Sequence, residues 1–319
     1  MRRGRLLLGA AIVIAACAAA VVMADPIDRG GDRTTEKVAA TAGLPSPVTG
    51  DAGTRAPVHN RFTVRATSAP DAVRLHLKRP PRAGILFDVR SGRVLWQLHP
   101  RRQLPIASLT KMLTALIIAQ RHQLRERVLI TPRVLRYAGS GVGVLPRGKR
   151  VKLGALLDGL LMVSGNDAAI ALAQHDSRTV DGFVRRMNLR AQQLGLTCSR
   201  FSTPSGIRDQ GNHSCAVDLA TLARLDLANP IVGRIVGMRR ARMRFPIKGG
   251  YLDLFNINPF IGDPGVTGVK TGLTNAAGRC YVVTAHVNGR YLGVVLLNTP
   301  DPFNQVPQLL KAGARVGNG

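Results

Sequence analysis

A serine followed three residues later by a lysine is the first arrangement in this sequence that could do chemistry. Ser108 and Lys111 open a segment with helical spacing, so both side chains should lie on one helix face. A serine hydroxyl becomes a nucleophile when a base lies within hydrogen-bond reach. Lysine can be that base if burial or a second cation lowers its pKa. The pair therefore predicts covalent catalysis, although a helix-capping serine followed by a solvated lysine has the same spacing.

Two later tripeptides make the catalytic interpretation more specific. Ser164-Gly165-Asn166 lies between two helical runs, and Lys270-Thr271-Gly272 ends a predicted strand. Taken alone, the first would be a helix cap and the second a surface turn. Each tripeptide occurs once, and they follow the serine–lysine pair on a loop and then a strand. The conjunction of three motifs in this order favours one active site.

In this order the motifs resemble those of the penicillin-recognising serine enzymes, most closely the low-molecular-weight D-alanyl-D-alanine carboxypeptidases. The resemblance covers roughly residues 83–316. Outside and around the motifs it includes residues 84–88, 91–95, 107–116, 156–169, 201–206, 216–219 and 268–278. It implies a fold of the serine β-lactamase/penicillin-binding-protein type. The implied reaction removes the terminal D-Ala from peptidoglycan stem peptides, with β-lactams as covalent inhibitors.

The resemblance also assigns catalytic roles. Ser108 would be acylated by the penultimate D-Ala carbonyl, with Lys111 as general base. Ser164 would pass the proton to the leaving amine, and Lys270 would help to keep Lys111 neutral. Water would then hydrolyse the acyl-enzyme, so that the serine is regenerated.

Substrate binding is assigned in the same way. Asn166 would hold the peptide backbone amide, and Thr271 with Lys270 would receive the terminal carboxylate. Gly272 belongs to the same substrate-binding set, and the backbone N–H groups of Leu273 and the nucleophile would form the oxyanion hole. The sequence predicts neither a metal site nor a cofactor, since it contains no CxxC or HExxH motif.

Departures from the family pattern reduce the number of reactions that we expect of this chain. Gly165 occupies the centre of the second motif, as in carboxypeptidases. The only glutamates are Glu36 and Glu126, and neither follows Ser164, where a class A β-lactamase needs the carboxylate that activates water. The segment 298–305 also lacks the arginine with which some members bind the substrate carboxylate. Efficient β-lactamase activity is therefore not expected.

Three other functions are alternatives to the carboxypeptidase. A DD-endopeptidase would cut peptidoglycan crosslinks with the same serine, and this alternative stays open because cleft shape decides between the two. A Ser-His-Asp hydrolase has little support, since no Gly-x-Ser-x-Gly elbow occurs. A non-catalytic cationic protein that binds cell wall or membrane would have no need for Lys111.

The elements that must position these residues predict an α+β domain, with one antiparallel β-sheet flanked by helices. We expect a hairpin over 83–89 and 93–99, and strands at 266–271, 279–287 and 290–298. Asn288-Gly289 is a strong hairpin signal between the last two strands. Helices are predicted around 109–117 and 153–161 and at 168–174, 180–194, 216–228 and 306–314.

The N-terminus has a different composition. Three arginines precede an apolar run from residue 6 to residue 24, which predicts a secretory signal. The run is also long enough for an uncleaved membrane anchor, and residues 14–17 resemble a lipoprotein box. We expect residues 1–24 to direct export to the outer face of the cytoplasmic membrane, the periplasm or the cell wall. Residues 25–81 should form a flexible spacer, and residues 82–316 the catalytic domain.

The formal net charge of +27 would favour anionic membrane or wall polymers as partners. An arginine-rich composition, in a chain also rich in Ala, Gly and Val, is the simpler explanation. The densest basic cluster, Arg239, Arg240, Arg242 and Arg244, has no interleaved aromatic ladder for stacking bases. Nucleic acid is therefore not an expected partner.

The cysteines leave one question open. An exported chain could form one disulfide, and Cys198 and Cys215 are the nearer pair in sequence. Three buried thiols, with Cys280 as the third, fit the sequence equally well.

Overall fold

The computed structural model describes residues 61–316. Within them, the 3-10 turn Ala107–Thr110 precedes the first of these helices: α1 Lys111–Arg121, α2 Leu153–Met162, α3 Asn166–Ser177, α4 Val180–Gln193, α5 Ala216–Ala228, α6 Pro230–Gly237 and α7 Pro302–Gly313. The strands are β1 Ala83–Asp88, β2 Val94–Leu98, β3 Leu104–Pro105, β4 Arg127–Leu129, β5 Arg150–Lys152, β6 His213–Ser214, β7 Arg240–Arg244, β8 Tyr251–Phe255, β9 Val266–Thr274, β10 Gly278–Val287 and β11 Arg290–Leu297.

Five strands form one antiparallel sheet in the order β2-β1-β11-β10-β9. β1 pairs with β11, from Ala83 opposite Leu297 to Asp88 opposite Leu292. The N-terminal hairpin and the C-terminal strands therefore complete a single sheet, although β2 ends at Leu98 and β9 begins only at Val266. This confirms the predicted α+β architecture and leaves β9 as an outer strand.

Both faces of the sheet are covered. Ile85 and Phe87 join the larger apolar cluster, which includes buried residues of α1, α2, α3 and α5. Leu86, between them, joins the smaller cluster beneath α7. Because alternate residues of a strand point to opposite faces, a strand buried on both sides has an uninterrupted apolar sequence. The two covered faces give β9 a densely packed support.

Residues 61–82 contain no helix or strand, yet they pack against the domain. Val64, Val73 and Leu77 are at most 7% exposed, and the Val73 N–H donates to the Leu95 carbonyl at 2.9 Å. Order therefore begins earlier than residue 83, and 61–81 differs from the flexible spacer expected over 25–81. Isolated apolar anchors have no helical or strand period, so composition alone suggested a spacer. The predicted signal, residues 1–24, and residues 25–60 lie outside the described residues.

Other differences concern the second half of the chain. α6 was not predicted; the Asn229 side chain caps it by accepting the N–H groups of Ile231 and Val232 at 3.0 and 3.1 Å. The β7–β8 hairpin was also not predicted. β9 continues to Thr274, so the Lys-Thr-Gly motif lies within the strand rather than at its end. None of the helices within residues 61–316 has the length and apolar character needed to span a bilayer.

A disulfide joins Cys198 and Cys215, whose Cα atoms are 5.6 Å apart. Cys280 is a buried free thiol. The pairing that the sequence left open is thus present, and it closes residues 198–215 into a covalent loop. That loop passes beside the candidate nucleophile.

Candidate active site

The candidate nucleophile lies in a tight turn that leads into α1. Ser108 belongs to the 3-10 turn Ala107–Thr110, one turn before the helix proper. Its neighbour Ala107 is buried with φ of 47°, a left-handed conformation that is uncommon for a residue with a Cβ and that clusters at functional sites. The Leu109 N–H donates to the Ile106 carbonyl at 3.1 Å. The sequence predicts a helix start at Ser108. The structure has a 3-10 turn there, and this turn directs Ser108 toward Lys111.

Lys111 is fully buried, and its amine has three hydrogen-bond partners. Nζ lies 2.9 Å from Ser108 Oγ, 2.7 Å from Asn166 Oδ1 and 2.8 Å from the Ser205 carbonyl oxygen. Burial lowers the pKa of Lys111 well below its usual value, and the charge of Lys270 lowers it further, while Asp167 acts in the opposite direction. The amine is thus held next to the serine in an environment that disfavours its charged form.

Lys270, on β9, is the second buried cation of the site. Its side chain is 2% exposed, and burial lowers its pKa to about 7. Nζ donates to the carbonyl oxygen of Thr271 at 2.9 Å. Near neutral pH, Lys270 therefore carries a partial positive charge that opposes protonation of Lys111.

The second motif lies in the loop between α2 and α3. Ser164 is buried and has φ of 59°, so the backbone is held in another conformation that non-glycine residues seldom adopt. The Ser140 hydroxyl donates to the Ser164 carbonyl at 2.8 Å, and the Asn166 N–H donates to the Ser140 carbonyl at the same distance. Asn166 then begins α3 and places its side-chain oxygen on Lys111.

Asp167 fixes the loop that faces the second motif, and the sequence interpretation assigned it no role. Its fully buried carboxylate accepts the N–H groups of Val142 and Gly143 at 2.9 and 3.0 Å. The Asn166 amide reaches the same loop by donating to the Ala138 carbonyl at 2.6 Å. The only signal in the sequence was the position of Asp167 directly after the second motif.

The disulfide-closed loop supplies the third partner of Lys111. Ser205, whose carbonyl accepts from Nζ, is 3% exposed. Gly206 has φ of 76° and lies so close to the nucleophile turn that a Cβ there would overlap the Ala107 carbonyl oxygen. Residues 201–206 resemble the family in sequence, but that resemblance assigns no function to Ser205. A backbone carbonyl carries no side-chain signature, so only the fold reveals this contact.

The third motif lies against the nucleophile turn on the outer strand of the sheet. A Cβ at Gly272 would lie 2.9 Å from the Ile106 carbonyl oxygen and 3.0 Å from the Ser108 backbone nitrogen. Glycine therefore permits β9 to approach the turn closely. The next residue, Leu273, exposes 68% of its side chain. Thr271 is partly buried between Lys270 and Gly272.

The three contacts of Lys111 suit an ammonium group, which donates to all three oxygens, and they can also be made by a neutral amine. Such an amine has two N–H donors and one lone pair. The two N–H groups can bond to Asn166 Oδ1 and the Ser205 carbonyl, which leaves the lone pair for the Ser108 hydroxyl. This geometry suits the class of acylating serine enzymes in which a lysine is the base.

Comparison with known proteins agrees with that class. Residues 75–301 match the family model described as D-alanyl-D-alanine carboxypeptidase, peptidase S11. The chain is 36% identical over 221 residues to D-alanyl-D-alanine carboxypeptidase DacB2 of Mycobacterium tuberculosis, which covers 68% of this chain and 75% of that protein. It is 30% identical over 243 residues to DacF of Bacillus subtilis, which covers 73% of this chain. A crystal structure of a D-alanyl-D-alanine carboxypeptidase from M. tuberculosis has a TM-score of 0.71 and 31% identity, covering 80% of this chain and 97% of that one.

The chain therefore belongs to the D-alanyl-D-alanine carboxypeptidase family, peptidase S11. The resemblance drawn from the three motifs is confirmed, as are the penicillin-binding-protein type of fold and the class of serine peptidase. The alignment spans 62% of the length of DacF. Other relatives are named D-alanyl-D-alanine endopeptidases.

Proposed function

We propose that this chain is a serine-type carboxypeptidase that removes the terminal D-Ala from peptidoglycan stem peptides through an acyl-enzyme on Ser108. The observation that carries the proposal is the buried Lys111 amine, 2.9 Å from Ser108 Oγ and bound to two further acceptors. Family membership supports the substrate class.

The reaction follows from the groups around the serine. Ser108 Oγ attacks the carbonyl carbon of the penultimate D-Ala while Lys111 takes the hydroxyl proton. The N–H groups of Ser108 and Leu273 hold the resulting oxyanion. When the peptide C–N bond breaks, the proton passes from Lys111 to the leaving amine, with Ser164 as the relay. Water then attacks the ester; one of its protons goes to Lys111 and from there to Ser108 Oγ as the acyl bond breaks.

Recognition of the substrate depends on β9 and the second motif. The outer edge of a sheet can accept an extended peptide through backbone hydrogen bonds, and the third motif lies on such an edge. Lys270 and Thr271 would bind the terminal carboxylate, and Gly272 would let the peptide lie close to the nucleophile. Asn166 would bind a backbone amide of the stem peptide. Because 298–305 contains no arginine, carboxylate binding depends mainly on Lys270 and Thr271.

The same acylation accounts for the proposed inhibition by β-lactams. The ring amide opens on Ser108, but the leaving nitrogen stays tethered to the acyl group and hinders the approach of water. Glu126, the only glutamate within residues 61–316, is bound to His122 and His175 and follows the far end of α1. It is therefore not positioned to activate deacylating water, and slow β-lactam turnover is expected.

Peptidoglycan lies outside the cytoplasm, so the substrate requires export. Residues 1–24 would supply it as a signal or an anchor, and the Cys198–Cys215 disulfide suits an oxidising compartment. Anionic membrane or wall polymers are further partners for the positive charge. Arg240, Arg242 and Arg244 occupy the exposed positions of β7 and support this part of the proposal.

A labelling assay combined with product analysis tests the proposal. A fluorescent penicillin should label the wild type and not Ser108→Ala, and the wild type should release D-Ala from a peptide ending in Lys-D-Ala-D-Ala. Labelling that persists in Ser108→Ala would contradict the assigned nucleophile. Labelling without D-Ala release, accompanied by cleavage of a crosslinked dimer, would instead establish a DD-endopeptidase. Salt-sensitive binding to anionic polymer without any labelling would point to the non-catalytic protein.

A further inference from the structure

A second cluster of reactive side chains lies at the opposite end of α1, about 16 Å from Lys111 for eleven residues at 1.5 Å each. His122 follows the last residue of α1, Glu126 immediately precedes β4, and His175 lies in the last turn of α3. Glu126 Oε2 is 3.0 Å from His122 Nδ1 and 2.8 Å from His175 Nε2. One nitrogen or oxygen atom from each residue thus lies within 4.8 Å of the other two.

We propose that His122, Glu126 and His175 bind a divalent transition-metal ion of the zinc type, with water in the fourth position. Imidazole nitrogen and carboxylate oxygen are common zinc ligands. In a tetrahedral site with bonds of about 2.0 to 2.1 Å, ligand atoms are roughly 3.3 Å apart. The two separations that involve Glu126, 2.8 and 3.0 Å, therefore need to widen by only a few tenths of an ångström, and the two histidines offer ligand nitrogens within 4.8 Å of one another.

A buried carboxylate orients one of these ligands. His122 Nε2 lies 3.0 Å from Asp176 Oδ1, so an N–H there leaves Nδ1 directed toward Glu126. The Asp176 side chain is fully buried and is itself held by Arg121 at 2.7 Å and Arg186 at 2.8 Å. Carboxylates that accept the second ring N–H of a ligating histidine fix its tautomer and orientation in zinc sites.

The carboxylate ligand, Glu126, is oriented by a different contact. The Gln123 N–H donates to Glu126 Oε1 at 2.6 Å, which directs Oε2 toward both histidines. The side chains of His122, Glu126 and His175 are 16%, 34% and 22% exposed, so an ion can enter from solvent. These positions contain no serine or lysine, and the site is separate from the acylation chemistry.

The metal would act as a structural clamp. It would tie the end of α1 to the end of α3, and the opposite ends of these helices carry Lys111 and Asn166. Binding to the folded protein alone raises its melting temperature. At free zinc about 100 times the Kd, we expect a rise of about 5 to 10 °C for a domain of this size.

Zinc alone is the probe for the test. The full-length protein, without an affinity tag, is stripped with a chelator, desalted and titrated with Zn²⁺ against a chromophoric competitor; melting temperatures are followed in parallel. We expect a micromolar or lower Kd for wild type, and at least a tenfold weaker Kd for His122→Gln and His175→Gln. His76→Gln, which changes an exposed histidine elsewhere in the chain, is the matched control and should bind as wild type does.

Cooperative unfolding without metal verifies that each variant is folded. Asp176→Asn should weaken binding about 10- to 100-fold if Asp176 orients His122. The proposal is overturned if wild type binds zinc no more tightly than the two histidine variants, or if zinc leaves its melting temperature unchanged. In either case, the cluster is an ion-pair network only.

Discussion

Buried charged side chains at the two ends of α1 have opposite kinds of partner. At the N-terminal end, Lys111 and Lys270 are buried, and their amines donate to a hydroxyl, an amide oxygen and backbone carbonyls. At the C-terminal end, the buried carboxylate of Asp176 is surrounded by two arginines and a histidine. In the part of the chain that the structure describes, α1 therefore connects two lysines without a salt bridge to a carboxylate with three ion-pair partners.

The difference appears in the pKa values. Burial lowers the pKa of Lys270 to about 7. Burial of Asp176 raises its pKa, but hydrogen bonds from Ser177, Arg121 and His122 outweigh that effect and hold the pKa at about 2. A buried charge with partners remains a charge, whereas one without them becomes easier to neutralise. Within residues 61–316, the lysines at the first end have no salt bridge of the kind that stabilises Asp176 at the second.

The largest expected effect comes from replacing the base. Lys111→Arg keeps a positive charge but cannot supply a lone pair, so the rate of acylation by a fluorescent penicillin should fall by about 10²- to 10⁴-fold. Stopped-flow labelling measures it, with Lys152→Arg at an exposed position as the control. A rate within about threefold of wild type would remove Lys111 from the mechanism.

Lys270 should make both the free energy of unfolding and the acylation rate depend on pH. Its folded pKa of about 7 lies below the ordinary lysine pKa of 10.5. Between these values the unfolded chain binds more protons, so the free energy of unfolding rises with pH. Lys270→Met should flatten that rise between pH 7 and 10. Removing this cation also raises the pKa of Lys111, which shifts the rising limb of the acylation rate to higher pH.

Denaturant unfolding at several pH values checks the first effect, and labelling rates over the same range check the second. Lys248→Met, at an exposed lysine, should leave both curves as in wild type. An unchanged pH slope in Lys270→Met would show that Lys270 is not the buried cation that sets it.

Asp167 is expected to have an intermediate effect. Asp167→Asn removes one of the two carboxylate oxygens that accept from Val142 and Gly143. Unfolding free energy should fall by about 1 to 3 kcal/mol, and kcat/KM by about tenfold because the loop facing Asn166 loosens. Asp181→Asn, at an exposed aspartate in the first turn of α4, is the control. Full activity with lowered stability would restrict Asp167 to a structural role.

The smallest effect on stability and activity is expected beside Asp176, at the C-terminal end of α1. Arg186→Gln removes one contact to Asp176, but its side chain is 38% exposed and Arg121 remains. The loss in unfolding free energy should stay below about 1 kcal/mol, with D-Ala release unchanged. A larger loss would mean that Asp176 depends on Arg186 in particular, and the contrast between the two ends would be weaker than described.

Much of this site is predictable from side-chain type and spacing. Ser108 and Lys111 share one face because of helical periodicity, and the Lys-Thr-Gly motif falls on a strand that two apolar strands follow. The sheet follows from apolar runs at both ends of the domain, since such runs need partners. These features are local in sequence or repeat with a fixed period, which is why pattern reasoning finds them.

The remaining contacts were missed for physical reasons. Ser205 acts through its backbone carbonyl, and Asp167 through N–H groups 24 and 25 residues away, so neither has a local signature. Val64 and Val73 bind to the domain as single anchors without a period. No local pattern connects His122 with His175, because the turn after α1 and the end of α3 meet only in the fold.

The open edge of β9 also creates a risk of aggregation. Backbone groups left available for a peptide are equally available to the strand of another protein molecule, and many proteins block such edges with prolines or inward charges. Within β9 the third motif offers only a buried lysine, a threonine and a glycine, followed by the exposed Leu273. The nucleophile turn against Gly272 leaves less room for a long foreign strand. Selection for a short ligand and protection against aggregation therefore depend on the same few residues.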